Sequence, residues 1–324
     1  MKNKPILSIC IPSYGRIELL RNTLTSIYSQ IGEVCEEDFE VIISDNDPKR
    51  RLQCLSEEFN YSNFKYFATD CKGFENSYYA LTYATGECVK LHNNTMLWLP
   101  GSLKKILQLI TQNIQNKPLL FFTNGIKLTY ETNLFKSFDK FIYDLSYWSS
   151  WSNGFCIWKV DFENYKKISI NEYFPQTSIL LTQYYKESFI SSDYPFFELQ
   201  KVTKKGGYNI FRVFGISYIE LIETSYIKGN ITKKTFDKIK SKILFNFFPL
   251  NFFKTKILKV ENYETHGLKE ILKKYYPWYA YYILVMLGLL FIPHYIQKHI
   301  RVQYLKYKNT YTKYFEKQLF KYQD

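Results

Sequence analysis

The chain has 324 residues, 46% hydrophobic and 19% aromatic, which excludes a disordered protein and allows two domains or one domain with a long extension. Its net charge of +13 is unevenly placed. Met1–Ser225 holds 24 basic and 24 acidic residues, whereas Tyr226–Asp324 holds 19 basic against 6 acidic, so only the last third calls for an anionic partner.

Ile6–Ile11 is apolar apart from Ser8 and reads as a buried parallel strand. Pro12-Ser13-Tyr14-Gly15 breaks it, and Ile17, Leu20, Leu24, Ile27 and Ile31 follow at helical spacing. Phe39–Ile43 is a second strand, ending in Ser44-Asp45-Asn46-Asp47-Pro48, and Phe64–Phe67 is a third. A helix over Glu75–Ala84 stops at Gly86, and Cys88–Leu91 is a short strand. Pro100 opens a helix with an apolar face of Leu103, Ile106, Leu107 and Ile110, and Leu119–Phe122 is a further strand. This alternation predicts an α/β domain with a mainly parallel, Rossmann-like sheet flanked by helices. Ligands bind beyond the carboxyl ends of such strands, where Pro12–Arg16, Asp45–Asp47 and His92–Thr95 fall. From Phe121 to Ser225 the pattern is less regular and rich in Tyr, Phe and Trp.

None of the six cysteines forms a CxxC pair, and Cys10 and Cys88 lie within apolar runs as core residues. The first residues lack the length and cleavage site of a signal peptide. Both features fit a reducing cytoplasm.

Three segments within the first 120 residues, LSICIPSYGRIELLRNTLTSI, EVIISDND and GFENSYYALTYATGECVKLHNNTMLWLPGSL, resemble in order and spacing family 2 glycosyltransferases of GT-A fold. The likeness extends to those of bacterial surface-polysaccharide synthesis, of capsule or O-antigen type. It implies a nucleotide-sugar-binding half over 1–120 and an acceptor-binding half over 121–225, while the charge asymmetry marks 226–324 as a basic, aromatic membrane-associating region. It also implies a nucleotide site at Pro12, Ser13, Tyr14, Arg16, Asp45, Asn46 and Asn76. Tyr14 can pack on a base, Asp45 can accept a hydrogen bond from base or ribose, and Arg16 can meet phosphate. Ordinary turn formation by Pro12, Gly15, Asp45 and Asn46 accounts for the same residues.

Where the family carries an Asp-X-Asp motif for a divalent metal, this chain reads His92-Asn93-Asn94-Thr95, without a carboxylate. Mg²⁺ relies on carboxylates plus phosphates, while Mn²⁺ better tolerates a nitrogen ligand such as His92. Three readings stay open: weak metal binding by this metal and diphosphate segment, stabilisation of the leaving diphosphate by Lys or Arg, or binding without turnover. Inverting transfer needs a carboxylate base on the acceptor side; the candidates are Asp161, Glu163 and Glu172, with Asp161 and Glu172 ranked equal, and an ordinary surface carboxylate is the commoner reading of each. Trp148, Trp151 and Trp158 can offer faces to a sugar or pack a core.

Tyr275–Gln297 is a run of 23 residues without Lys, Arg, Asp or Glu. Pro277 and Pro293 bracket only 15 residues, about 22 Å as helix against a hydrocarbon core of about 30 Å. Basic residues flank both sides, so an interfacial or re-entrant segment fits better than a span. The expected partners are a nucleotide sugar, a saccharide or lipid-linked saccharide acceptor, and an anionic membrane surface on the cytoplasmic side. A nucleic acid is the weaker partner, because the basic surplus accompanies an uncharged run.

Overall fold

The computed structural model describes residues 4–164, 169–202 and 205–293. The chain divides into two compact units. One comprises Met1–Thr203 with Arg212–Lys242, the other Lys204–Phe211 with Ile243–Asp324.

The first unit is built on strands β1 (Leu7–Ser13), β2 (Phe39–Asp45), β3 (Phe64–Ala68), β4 (Cys88–Leu91), β5 (Met96–Trp98), β6 (Leu119–Phe122), β7 (Thr132–Phe135), β8 (Phe155–Trp158), β9 (Phe189–Ser192) and β10 (Phe197–Leu199). Eight of them form one sheet in the order β3-β2-β1-β4-β8-β6-β9-β7, and β5 pairs with β10. β1, β2, β3 and β4 are mutually parallel, and β6 and β9 share their direction. β8 runs against β4 and β6, and β7 runs against β9.

Two layers cover the parallel part, and the two-residue period of a strand sorts the side chains between them. Leu7, Ile9 and Ile11 of β1, with Val41 and Ile43 of β2, belong to one buried cluster. That cluster includes Leu20, Leu24 and Ile27 of helix α1 (Ile17–Tyr28). A four-residue turn of helix, α2 (Leu55–Glu58), adds Leu55 to it. The intervening positions face α3 (Asn76–Thr82), whose Asn76 bonds Ser44 of β2. Leu103, Ile106, Leu107 and Ile110 of α4 (Ser102–Gln112) complete the first layer. The strands and helices read from the sequence up to Phe122 are all present, and the fold is α/β of GT-A type. β7, β8 and β9 and helices α5 (Phe138–Leu145), α6 (Lys159–Asn164) and α7 (Pro175–Thr182) lie in the stretch whose periodicity was unreadable.

In the second unit, residues 243–257 are helical with two π-helical stretches, Leu268–Lys273 is a short helix, and residues 280–293 are helical. No helix among the described residues is long and apolar enough to cross a membrane. The last four residues of the uncharged run and the basic flank over 298–324 lie outside the described residues, as do the first three residues of the N-terminus.

Candidate active site

The register of the first two strands puts Pro12 opposite Ser44 and Ser13 opposite Asp45, so both strands deliver their following loops to one edge. Asn76 ties these loops together. Its amide donates to the carbonyl of Ser44 at 2.8 Å and to Asn46 Oδ1 at 3.0 Å, and its Oδ1 accepts from the Ser44 hydroxyl at 2.6 Å. Asn46 in turn donates its backbone N–H to the Ser13 carbonyl at 3.2 Å. Pro12, Ser13, Asn46 and Asn76 are thus brought together.

Asp45 is wholly buried, and both its oxygens are engaged. One accepts from the Asp47 backbone N–H at 2.9 Å and the other from the Tyr66 hydroxyl at 2.8 Å. Burial and the Asp45 carboxylate together push the Tyr66 phenol up. Asp45 therefore organises its own loop and reaches a ligand only through its remaining lone pairs. Tyr14 is 58% exposed at the rim, free to lie against a flat ring. Gly15 and Arg16 both adopt positive φ, at 57° and 59°, which turns the chain sharply into α1. A Cβ at Gly15 would sit 2.9 Å from Arg51 Nη2, so glycine there admits the guanidinium. Arg51 pairs with the buried Asp47 and holds that carboxyl below its usual range. Arg16 and Arg51, the latter in its pair with Asp47, are cations of this edge, and Arg50 bonds the Asp45 carbonyl and Asp70.

His92–Thr95 follows β4 at the same edge. The His92 ring is fully buried, 5.3 Å from Trp98 and 5.2 Å from Phe197 between ring centroids. Its Nε2 bonds the Met96 carbonyl at 2.8 Å, and Nδ1 has no protein partner among the described residues. Burial first, then the Lys90 charge, keeps its pKa well below the ordinary value, so the ring is neutral. Asn93 Oδ1 accepts from the Ser152 hydroxyl at 2.7 Å, and the Asn93 N–H donates to Asn153 Oδ1 at 2.8 Å.

A divalent metal fits this donor set poorly. The His92 ring is turned into the core, Asn93 Oδ1 is already used, and no group of three His, Cys, Asp or Glu converges among the described residues. Hard cations need charged oxygen, which this turn does not supply.

The segment 146–154 is held to this turn by Ser152 and Asn153. Gln176 donates to the Ser150 carbonyl at 2.6 Å and Thr177 to that of Ser149 at 3.2 Å, anchoring the start of α7 to it. Glu172 lies just before α7, exposed, next to Tyr173. The Tyr173 ring is 6.2 Å from that of Phe74, on the turn whose Gly73 carbonyl accepts from Asn46 at 3.4 Å. Glu172 thus adjoins a residue whose ring neighbours the turn that Asn46 bonds. Trp148 and Trp151 form an edge-on pair at 6.2 Å in the same segment.

The structure does not bring Asp161 to this edge. β8 is antiparallel to β4, pairing Trp158 with Cys88, so α6 leaves from the opposite end of the sheet. There Asp161 is paired with Lys186 at 2.6 Å. Trp158 is likewise fully buried and bonds the Pro118 carbonyl at 2.7 Å, which makes it a core residue. Sequence reasoning missed Ser152, Asn153, Lys90 and Arg51. The one available signal was Lys90, a lone charge inside the four-residue apolar strand Cys88–Leu91.

Residues 8–144 match the family model described as glycosyl transferase family 2. No curated protein matches the chain. Among solved structures, S. aureus TarS 1-349 in complex with UDP-GlcNAc is similar with a TM-score of 0.59 and 17% identity, over 83% of this chain and 80% of that one. The same TarS segment in complex with UDP gives 0.53 and 18%, over 79% and 75%. The S. aureus TarS crystal structure gives 0.52 and 17%, covering 76% of this chain but only 43% of that chain. The fold is the GT-A fold, and residues 8–144 are similar to glycosyl transferase family 2.

Proposed function

We propose that the chain transfers one sugar from a nucleoside-diphosphate sugar to a saccharide acceptor, with inversion, at the cytoplasmic face of a bacterial membrane. The observation that carries this is the Ser13–Ser44–Asn46–Asn76 network, a rigid cradle at the parallel-strand edge of a glycosyltransferase domain. The acceptor is a lipid-linked saccharide of surface-polysaccharide synthesis, capsule or O-antigen among them, a reading supported by the basic last third.

In this reading Glu172 takes the proton of the acceptor hydroxyl. The acceptor oxygen forms its bond to the anomeric carbon as the bond to the diphosphate oxygen breaks, and the nucleoside diphosphate departs. Arg16 and Arg51 offset the charge gathering on the leaving group, in place of a metal. UDP-GlcNAc is the first donor to test, since TarS 1-349 binds it in its own complex.

A second reading, a sugar-nucleotide-binding scaffold without turnover, is favoured by the carboxylate-free turn at His92–Thr95. Release of nucleoside diphosphate from a panel of sugar nucleotides, with short oligosaccharide acceptors, separates the two. Stabilisation by nucleotide without release in any combination supports the scaffold.

A further inference from the structure

Helix 280–293 has two unlike faces. Ala280 and Leu284 are fully buried, and Gly288 lies so close to the preceding helical segment that a Cβ would sit 2.7 Å from Phe252 Cδ1. These three positions, four apart, form the packed face, and Phe291 adds a ring contact with Phe253 at 5.6 Å. The other face is apolar and open. Trp278 is 69% exposed, Met286 55% and Leu290 62%, with Tyr279, Tyr282 and Leu289 exposed beside them.

The open face is graded along its length. Trp278 and Tyr279 lie just before the helix and Tyr282 in its first turn, and Lys269 lies over the Tyr282 ring at 5.3 Å. Exposed Lys273 and Lys274 precede it. The following two turns carry Met286, Leu289 and Leu290. No Asp or Glu occurs between Tyr275 and Gln297.

We propose that this face is the membrane-docking surface of the protein, lying in the plane of an anionic bilayer. The lysines meet lipid phosphates, the Trp and Tyr rings sit at the headgroup level, and Met286, Leu289 and Leu290 enter the acyl boundary. The inference rests on the membrane reading given above and specifies the surface it uses. No helix among the described residues is long and apolar enough to cross a membrane, and basic residues flank the uncharged run on both sides, which favours a surface lying on the bilayer. Charge decides between occupants. A second copy of the chain would bring two lysine clusters together, and a nucleic acid would leave the Met and Leu side chains without a partner. The basic balance also continues beyond the helix, with seven basic and two acidic residues over 298–324.

The test is co-sedimentation of the full chain with phosphatidylcholine vesicles, with and without phosphatidylglycerol. The comparison is with the double variant Leu289→Ser/Leu290→Ser and with Lys269→Glu/Lys273→Glu. All four sites are exposed, and unchanged thermal unfolding confirms folding. The wild type is expected to sediment with the anionic vesicles only. The serine variant is expected to lose affinity by about tenfold or more, and the glutamate variant to lose its preference for anionic lipid. Wild-type binding that both variants retain in full would overturn the assignment of this face while leaving the membrane reading intact. A wild type that binds neither vesicle would overturn both. Light scattering that shows a wild-type dimer and a monomeric serine variant would assign the face to self-association instead.

Discussion

Replacing Lys90 by Met should change how stability depends on pH, with a sign fixed by the structure. Lys90 is fully buried beneath the site, and its Nζ donates to the carbonyls of Leu91 at 2.8 Å and Asn153 at 2.6 Å. Those bonds tie the start of the His92–Thr95 turn to the segment that holds Asn93. The rings of Phe197, Phe122 and Trp98 surround the ammonium, with Phe197 at 4.5 Å. Burial lowers its pKa from 10.5 to about 7, against smaller opposing effects of Cys156, Cys10 and Cys88. Between those values the unfolded chain holds a proton that the folded chain has released. Stability therefore rises with pH over that window, by about 1.4 kcal/mol per unit, or roughly 3 kcal/mol from pH 7.5 to 9.5. Below pH 7 both states are protonated, and the cost of the buried cation is fully present.

The Met variant loses that cost but leaves two carbonyls unpartnered, at about 1–3 kcal/mol each. It should match the wild type near pH 6.5 and fall behind it steadily above pH 7.5. Urea unfolding of both proteins at pH 6.5, 7.5, 8.5 and 9.5 reads this directly, because the other titrating groups are common to both. Parallel stability curves would refute the reasoning and show that Lys90 does not titrate in a buried site.

Glu172→Gln should lower turnover by about 100-fold or more with nucleotide-induced stabilisation unchanged, read by nucleoside-diphosphate release and thermal unfolding in parallel. Asn76→Ala should abolish nucleotide-induced stabilisation and destabilise the free protein by about 1–3 kcal/mol in urea, since it strips partners from Ser44 and Asn46. Leu24→Ala, in the packed face of α1, should cost about 2–5 kcal/mol in the same measurement. EDTA should leave nucleotide-induced stabilisation unchanged, because the His92–Thr95 donors suit a hard cation poorly; a shift that appears only with Mg²⁺ or Mn²⁺ would count against this.

The fold was readable where one physical signal dominated. In β1, β2, β4 and β6 the burial is continuous, so the apolar runs mark the strands, and Leu103, Ile106, Leu107 and Ile110 mark α4 by spacing alone. Past Phe122 the elements are short and their faces mixed. In β7 (Thr-Asn-Leu-Phe) Leu134 is exposed and Asn133 half-buried, and α7 is buried over nearly its whole circumference, so neither shows an apolar period. The convergence of Pro12, Ser13, Asn46 and Asn76 was legible because loops after parallel strands meet at one edge. The placement of the candidate carboxylates was not. Asp161 and Glu172 lie 11 positions apart in sequence; the reversal of β8 sends Asp161 to the far end of the sheet, whereas Glu172 precedes Tyr173, whose ring neighbours Phe74. His92 was legible as a turn residue, but its burial against Trp98 and Phe197 depends on the pairing of β5 with β10, which joins positions about 100 residues apart.

The most direct test of the central claim is thermal unfolding of the full chain with UDP, UDP-GlcNAc and a panel of other nucleotides and sugar nucleotides, with EDTA present. The account predicts stabilisation by one nucleotide class, growing with ligand concentration, and its loss in Asn76→Ala. A folded wild-type protein that none of them stabilises would contradict it.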